Sequence, residues 1–291
     1  MTLRMILSFA ILTFLYLIFL SVLAYLGLGA VPIIIIASAM ILAQFYFSDR
    51  IVLWSSGAKV VSREQYPQLH ELIERIVARN NLPKPRVAVI NTNMPNAFAT
   101  GRGRKSSVVA VTTGLLQILD TEEIEGVIAH ELTHIRNRDA LVLTLASLFS
   151  TVAWYLMQFG FYGGLYGGGG YGYGGRDRNS GGAMIIILLV AMLTWVISFL
   201  IIRAISRYRE FAADRGSAQM TGKPVKLANA LLKISGTMRR IPTKDLRQVE
   251  GLNAFFIVPA LTGSTIANLF STHPPVEKRV QKLMEMEASM S

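Results

Sequence analysis

Cysteine is missing from all 291 residues. Disulfides and thiolate metal sites are therefore excluded, and His, Asp and Glu are the only strong metal ligands left. Charge is scarce as well, at 16% of residues against 52% hydrophobic, too apolar a balance for an ordinary soluble domain. From Met5 to Ser48 there is none at all over 44 residues. A spanning helix needs about 20 apolar residues, so this stretch can cross a bilayer twice. The break between crossings falls at Gly27-Leu28-Gly29-Ala30, with Pro32 placed for a first helical turn. A cleaved leader would have a shorter apolar core and no second apolar segment behind it.

Two later runs also lack charge, Ala140 to Gly175 and Asn179 to Ile202, with Arg176-Asp177-Arg178 between them. The first is apolar to about Met157 and then dissolves into glycine. Residues 160–182 hold 12 of the 24 glycines, interleaved with Tyr162, Tyr166, Tyr171 and Tyr173. Such a segment buries too little surface to offset its ordering entropy, so it reads as a flexible loop. The second, Ala183 to Ile202, has spanning length. A buried helical hairpin, or segments that only dip into the bilayer, is the other reading of these two runs; if all four segments span, the N-terminus and residues 49–139 and 203–291 share one side. That side carries Arg4, Arg50, Lys59, Arg203 and further basic residues near the span ends, against Arg176 and Arg178 opposite. Lys and Arg near span ends favour the cytoplasm, so the polar bulk is expected there. The net charge of +11 then reflects topology and anionic lipid headgroups, with no need for nucleic acid. The chain divides into an N-terminal hairpin (1–48), a polar part (49–139), a second hydrophobic hairpin (140–202) and a second polar part (203–291).

Within the polar parts, Tyr66 to Asn80 reads as an amphipathic helix with Leu69, Leu72, Ile73, Ile76 and Val77 on one face. His70 lies in it with no partner at ligand spacing and reads as a surface histidine. Val87 to Asn91 and Ser107 to Thr112 are β-type runs, and Asn96 to Thr100 can pair with the second through the turn Gly101 to Lys105. Asp120 has the look of a helix N-cap, with Glu123 completing a capping box.

The helix that Asp120 opens contains His130-Glu131-Leu132-Thr133-His134. Histidines at i and i+4 lie on one helical face a turn apart, so both rings can reach one metal ion. Glu131 is placed to take a proton from water activated at that ion. Random placement of 4 His and 12 Glu yields this pattern in roughly two of a thousand such chains. A catalytic zinc site has three protein ligands. His70 precedes the motif and His273 is followed by two prolines, which leaves Glu210 as the stronger third ligand. Glu210 and Asp214 are one turn apart, and two like charges there ask for a nearby cation. Asp214 can also accept the free ring N–H of a ligating histidine. Arginine pairing through Arg203 and Arg207 is the other explanation for this acidic face.

At this point the chain resembles the HtpX family of membrane zinc endopeptidases, relatives of the CAAX prenyl proteases. The resemblance rests on the motif with Thr133 and Asn137, on Glu210-Phe211-Ala212-Ala213-Asp214, on the two flanking hydrophobic hairpins, on Asn96-Ala97-Phe98-Ala99, and on Ser271-Thr272-His273-Pro274-Pro275 with Arg279. It implies an α+β, mostly helical integral membrane protein with a gluzincin-like catalytic domain, a small sheet and about four transmembrane segments. It further implies one Zn2+ per chain on His130, His134 and Glu210, with Glu131 as catalytic base. The Asn96, Ala97, Phe98, Ala99 strand is expected to line the substrate groove, and His273 and Arg279 to approach the reacting carbonyl. The expected partners are the bilayer and extended segments of damaged membrane proteins, cleaved on the cytoplasmic face of the cell membrane. A dedicated protease for prenylated or other short motifs is the alternative.

Overall fold

The computed structural model describes residues 30–101, 103–140, 180–241, 257–258 and 273–290, with some side chains in the two longest helices excepted. The expected first crossing, the apolar run after Ala140 and the glycine-tyrosine segment up to residue 179 lie outside these residues.

In chain order the elements are α1 (Ala30–Ser56), β1 (Lys59–Val60), α2 (Pro67–Arg79), β2 (Arg86–Ile90), β3 (Ala97–Thr100), β4 (Val108–Thr112), α3 (Thr113–Ile118), α4 (Thr121–Asn137), α5 (Ser180–Thr221), α6 (Pro224–Met238) and α7 (Val276–Met290). The architecture is thus mostly helical with one small four-stranded sheet, ordered β1-β2-β4-β3. Strand β4 (Val-Val-Ala-Val-Thr) is buried along its whole length, as suits a central β-branched run. It pairs parallel with β2 and antiparallel with β3, which leaves β3 at an edge.

One face of the sheet and the helices share a core. Val87, Val89, Val109 and Val111 meet Ile73 and Ile76 of α2, Val127, Ile128 and Leu132 of α4, and Leu227, Leu231 and Ile234 of α6. Each such side chain contributes about 1.5–3 kcal/mol when buried, so the two polar parts of the sequence are held as one packed body. The opposite face is thinner, with Phe98, Ala88, Val108 and Ala110 covered by Val52 and Leu53 of α1.

His70 is a correction to the sequence reading. It is buried, with Nε2 at 3.2 Å from Val61 O and Nδ1 at 3.1 Å from Lys84 Nζ. Lysine can only donate, so Nδ1 accepts and the Nε2–H donates to the carbonyl. The ring fastens α2 to the strand connection.

Helix α5 is continuous over 42 residues and joins the last apolar run to the Glu210 block without a break. It crosses α4 closely because small residues line the contact. A Cβ at Gly216 would overlap Cγ2 and Oγ1 of Thr133, and Ser217 Oγ donates to Gly126 O at 2.7 Å. Counting only the described side chains, no helix is long and apolar enough to cross a membrane. Large apolar side chains are nevertheless exposed along α1 (Ile35, Leu42, Phe47) and the first half of α5 (Met192, Leu193, Ile197, Leu200).

Candidate metal centre

Helix α4 begins on a complete capping box. The Glu123 N–H donates to Asp120 Oδ1 at 2.8 Å, and the Asp120 N–H donates to Glu123 Oε2 at 2.9 Å. The start of the helix being set, its third and fourth turns carry His130 and His134 toward α5, with Glu131 beside them. Their rings cross nearly at right angles, 89° between planes.

Three side chains converge. Nε2 of His130 and Nε2 of His134 are 3.2 Å apart, and the Glu210 carboxylate lies 3.7 Å from the first and 3.5 Å from the second. An ion about 2.0–2.1 Å from two nitrogens in tetrahedral geometry holds them about 3.3 Å apart. The donor set therefore fits a small tetrahedral cation, and two imidazoles facing each other beside a buried carboxylate ask for one. These three form the one group of ligating side chains with metal-holding geometry found among the described residues.

Behind these three side chains stand further charges. His130 Nδ1 is 3.0 Å from Asp214 Oδ1. Arg279 is fully buried and grips Asp214 with two bonds, Nε to Oδ2 at 2.8 Å and Nη2 to Oδ1 at 2.6 Å. The acidic face that could have been paired by Arg203 or Arg207 is thus answered, at Asp214, from α7. His273 Nδ1 lies 3.2 Å from Glu210 Oε2.

The electrostatics follow from burial and these neighbours. Burial opposes a charged His130, but the Asp214 and Glu210 carboxylates outweigh it and push the imidazole up to about 9. Burial also opposes ionisation of Glu210, yet His273, His130 and His134 hold its carboxyl well below the usual range. Burial dominates at Glu131 and raises its carboxyl despite the two histidines. A metal held by His130 would have to displace its proton, so affinity should rise about tenfold per pH unit until it levels near pH 9. Chelator competition at pH 6.5, 7.5 and 8.5 measures this. A constant Kd over that range would contradict it.

The strand expected to meet substrate is β3, with Asn96 just ahead of it. The Thr112 N–H donates to Asn96 O at 2.9 Å. By alternation along the β3–β4 register, Phe98 and Thr100 bond toward β4, while the N–H and C=O of Ala97 and Ala99 face outward. The Ala99 N–H reaches the Glu131 carboxylate. The side chains of Asn96 and Phe98 are occupied elsewhere. Asn96 Oδ1 accepts from the Ile257 N–H at 3.1 Å, and Phe98 packs on the far face of the sheet against Ala88. Arg279 is the residue expected near the reacting carbonyl. Its Nη1 donates to Ile257 O at 2.7 Å, so the guanidinium is directed at Asp214 and Ile257.

Asp139 is absent from the sequence reading. Its Oδ2 lies 2.6 Å from His134 Nδ1 and 3.1 Å from Arg209 Nε. The available signal was an aspartate just past the end of the histidine helix, which helical periodicity alone does not direct back at the ring.

Comparison with known proteins bears on this arrangement. The family model described as Peptidase family M48 matches residues 63–287. The chain is 54% identical over 291 residues to a "Protease HtpX homolog" of Moorella thermoacetica, covering 100% of this chain and 95% of that one. It is 51% identical over 288 residues to a "Protease HtpX homolog 2" of Methanosarcina mazei, covering 99% and 96%. Among solved structures, S. mikatae Ste24p matches with a TM-score of 0.64 at 18% identity. That match covers 95% of this chain and 64% of that one, and likeness at this identity speaks to fold.

Proposed function

The chain belongs to peptidase family M48 and is a metallopeptidase, and from that premise we propose that it is a zinc endopeptidase held in a membrane, with His130, His134 and Glu210 as ligands. The observation that supports this most is the 3.2 Å separation of the two Nε2 atoms with the Glu210 carboxylate closing the third corner. Bound zinc supplies a Lewis acid that brings the pKa of water from about 15.7 to about 7. Glu131, buried beside the ligands, accepts the proton as water attacks the scissile carbonyl and passes it to the leaving amine. His273, which faces Glu210, is assigned the developing oxyanion. Arg279 and Asp214 orient His130.

The outward edge of β3 is assigned to substrate. An extended peptide adding there would bond to the N–H and C=O of Ala97 and to the C=O of Ala99, a mode tolerant of sequence. Ala97→Pro removes one outward donor without touching the bonds to β4. Peptide cleavage should fall at least tenfold with metal content unchanged. Full activity in that variant would dismiss the edge as the docking strand.

Helix α5 continues from the apolar run, so Glu210 lies eight residues beyond Ile202, about 12 Å along the axis. This supports chemistry near a membrane surface and suits substrates that are membrane proteins or emerging segments of damaged ones. The basic flanks of the apolar runs support a cytoplasmic orientation at the cell membrane. Trimming of prenylated or other short motifs has less behind it. The full-length likeness at 54% and 51% is to HtpX homologues, whereas the Ste24p likeness is at 18%.

Metal stoichiometry tests the ligand set. One zinc per chain is expected in purified wild type, and less than a tenth of that in Glu210→Ala. Full zinc retention by the variant would remove Glu210 from the set.

A further inference from the structure

Both histidines of the centre are backed by the same pair of groups, an aspartate on Nδ1 and an arginine on the aspartate. For His130 these are Asp214 and Arg279. For His134 they are Asp139 and Arg209. The second set is built by a local device. Helix α4 ends at Asn137, and Arg138 takes the left-handed conformation (φ 56°, ψ 41°) with its N–H bonded back to His134 O and Ile135 O. That conformation is uncommon for a residue with a side chain. It turns the chain so that Asp139, two residues past the helix, reaches back to the last turn. The carboxylate is nearly buried, 6% exposed, and one oxygen serves both neighbours, at 2.6 Å from His134 Nδ1 and 3.1 Å from Arg209 Nε. Arg209 immediately precedes Glu210 on α5. The helix that supplies the third ligand thus also holds the partner of the second.

We propose that Asp139 and Arg209 are positioning residues of the metal centre. Asp139 accepts the Nδ1–H of His134, which fixes the ring angle and leaves the Nε2 lone pair directed at the ion. Arg209, ion-paired with Asp139 at 3.1 Å, balances the charge of that carboxylate. With zinc bound, the four carboxylates Glu131, Glu210, Asp214 and Asp139 are then balanced by the ion and two guanidiniums. A buried centre of this kind is tolerated when its charges cancel. The inference rests on reading His130, His134 and Glu210 as the ligands.

A structural role, pinning the end of α4 to α5, would alter thermal stability and leave metal affinity alone. The test therefore reads the metal. Full-length protein in detergent is titrated with zinc against a competing chelator, and with cobalt(II) while the visible bands are followed. Asp139→Ala should weaken zinc binding 10–100-fold and shift the cobalt bands, the usual range for losing such a partner. Asp139→Asn, whose amide oxygen can still accept the Nδ1–H, should fall between that variant and wild type. Arg209→Gln should change zinc affinity in wild type and leave it unchanged when Asp139 is already alanine, because Arg209 acts through Asp139. Should Asp139→Ala fail to fold, Asp139→Asn carries the test, with an affinity equal to wild type counting against the proposal. One zinc per wild-type chain with equal affinities and cobalt spectra in every variant would overturn it. No zinc in wild type would instead overturn the ligand assignment beneath it.

Discussion

Glu131→Gln should lose about a thousandfold in kcat on a peptide substrate while keeping its metal, within the 10²–10⁴ range for a general base. Glu131 lies next to His130 in sequence, on the helix face that turns toward the ligands and β3, and is almost wholly buried. Burial raises its carboxyl, and the nearby histidines only partly counter this. A raised carboxyl sits closer to working pH, so it can both take a proton from water and return it to an amine. Glutamine keeps the shape and can accept the Ala99 N–H, but cannot carry the proton. Measuring kcat and metal content on the same preparation separates this from a folding defect. Undiminished cleavage by the variant would take Glu131 out of the mechanism.

Arg279→Leu should produce the largest structural loss. The guanidinium is fully buried, makes two bonds to Asp214 and one to Ile257 O, and lies 3.6 Å from Glu210. Removing one member of a buried pair leaves an uncompensated charge and costs about 3–5 kcal/mol. Here Asp214 would be left charged one turn from Glu210 on the same helix. A fall of about 10 °C in Tm follows from the usual conversion for a domain of this size, together with loss of zinc. Arg279→Lys should recover little, because an ammonium cannot match the two-pronged contact. Asp214→Asn added to Arg279→Leu should recover part of the Tm by removing the stranded charge. If Arg279→Leu melted within a degree or two of wild type and held zinc, the buried pair would matter far less than its geometry indicates.

The same pair shows why some of the centre was legible and some was not. His130 and His134 could be read because four residues along a helix determine which side chains share a face. The Asp120–Glu123 box and the apolar stripe of α2 could be read for the same reason, since their partners are a turn away. The β3–β4 hairpin was also legible, its strands being separated only by a short glycine-containing turn. Asp139 escaped because its approach depends on a left-handed residue, Arg138, that carries none of the usual glycine signal. The two-pronged grip of Arg279 on Asp214 was not legible, because α7 meets α5 only in the packed fold. His70 was read as exposed because the carbonyl and lysine that hold it come from outside its own helix.

Length and charge pattern, the four-residue spacing of two histidines with a glutamate between them, and the absence of cysteine already determined a helix-borne metal site on an apolar chain. Those features rest on backbone geometry over a few residues, which neighbours in sequence dictate. The partner of each ligand, the side of the sheet each strand residue takes, and the parallel union of β2 with β4 were decided only by tertiary structure. They join residues far apart in the chain, 65 positions in the case of Arg279 with Asp214. Such pairs are chosen by which surfaces of α4, α5 and α7 fit together, and that fit exists only once the helices are packed.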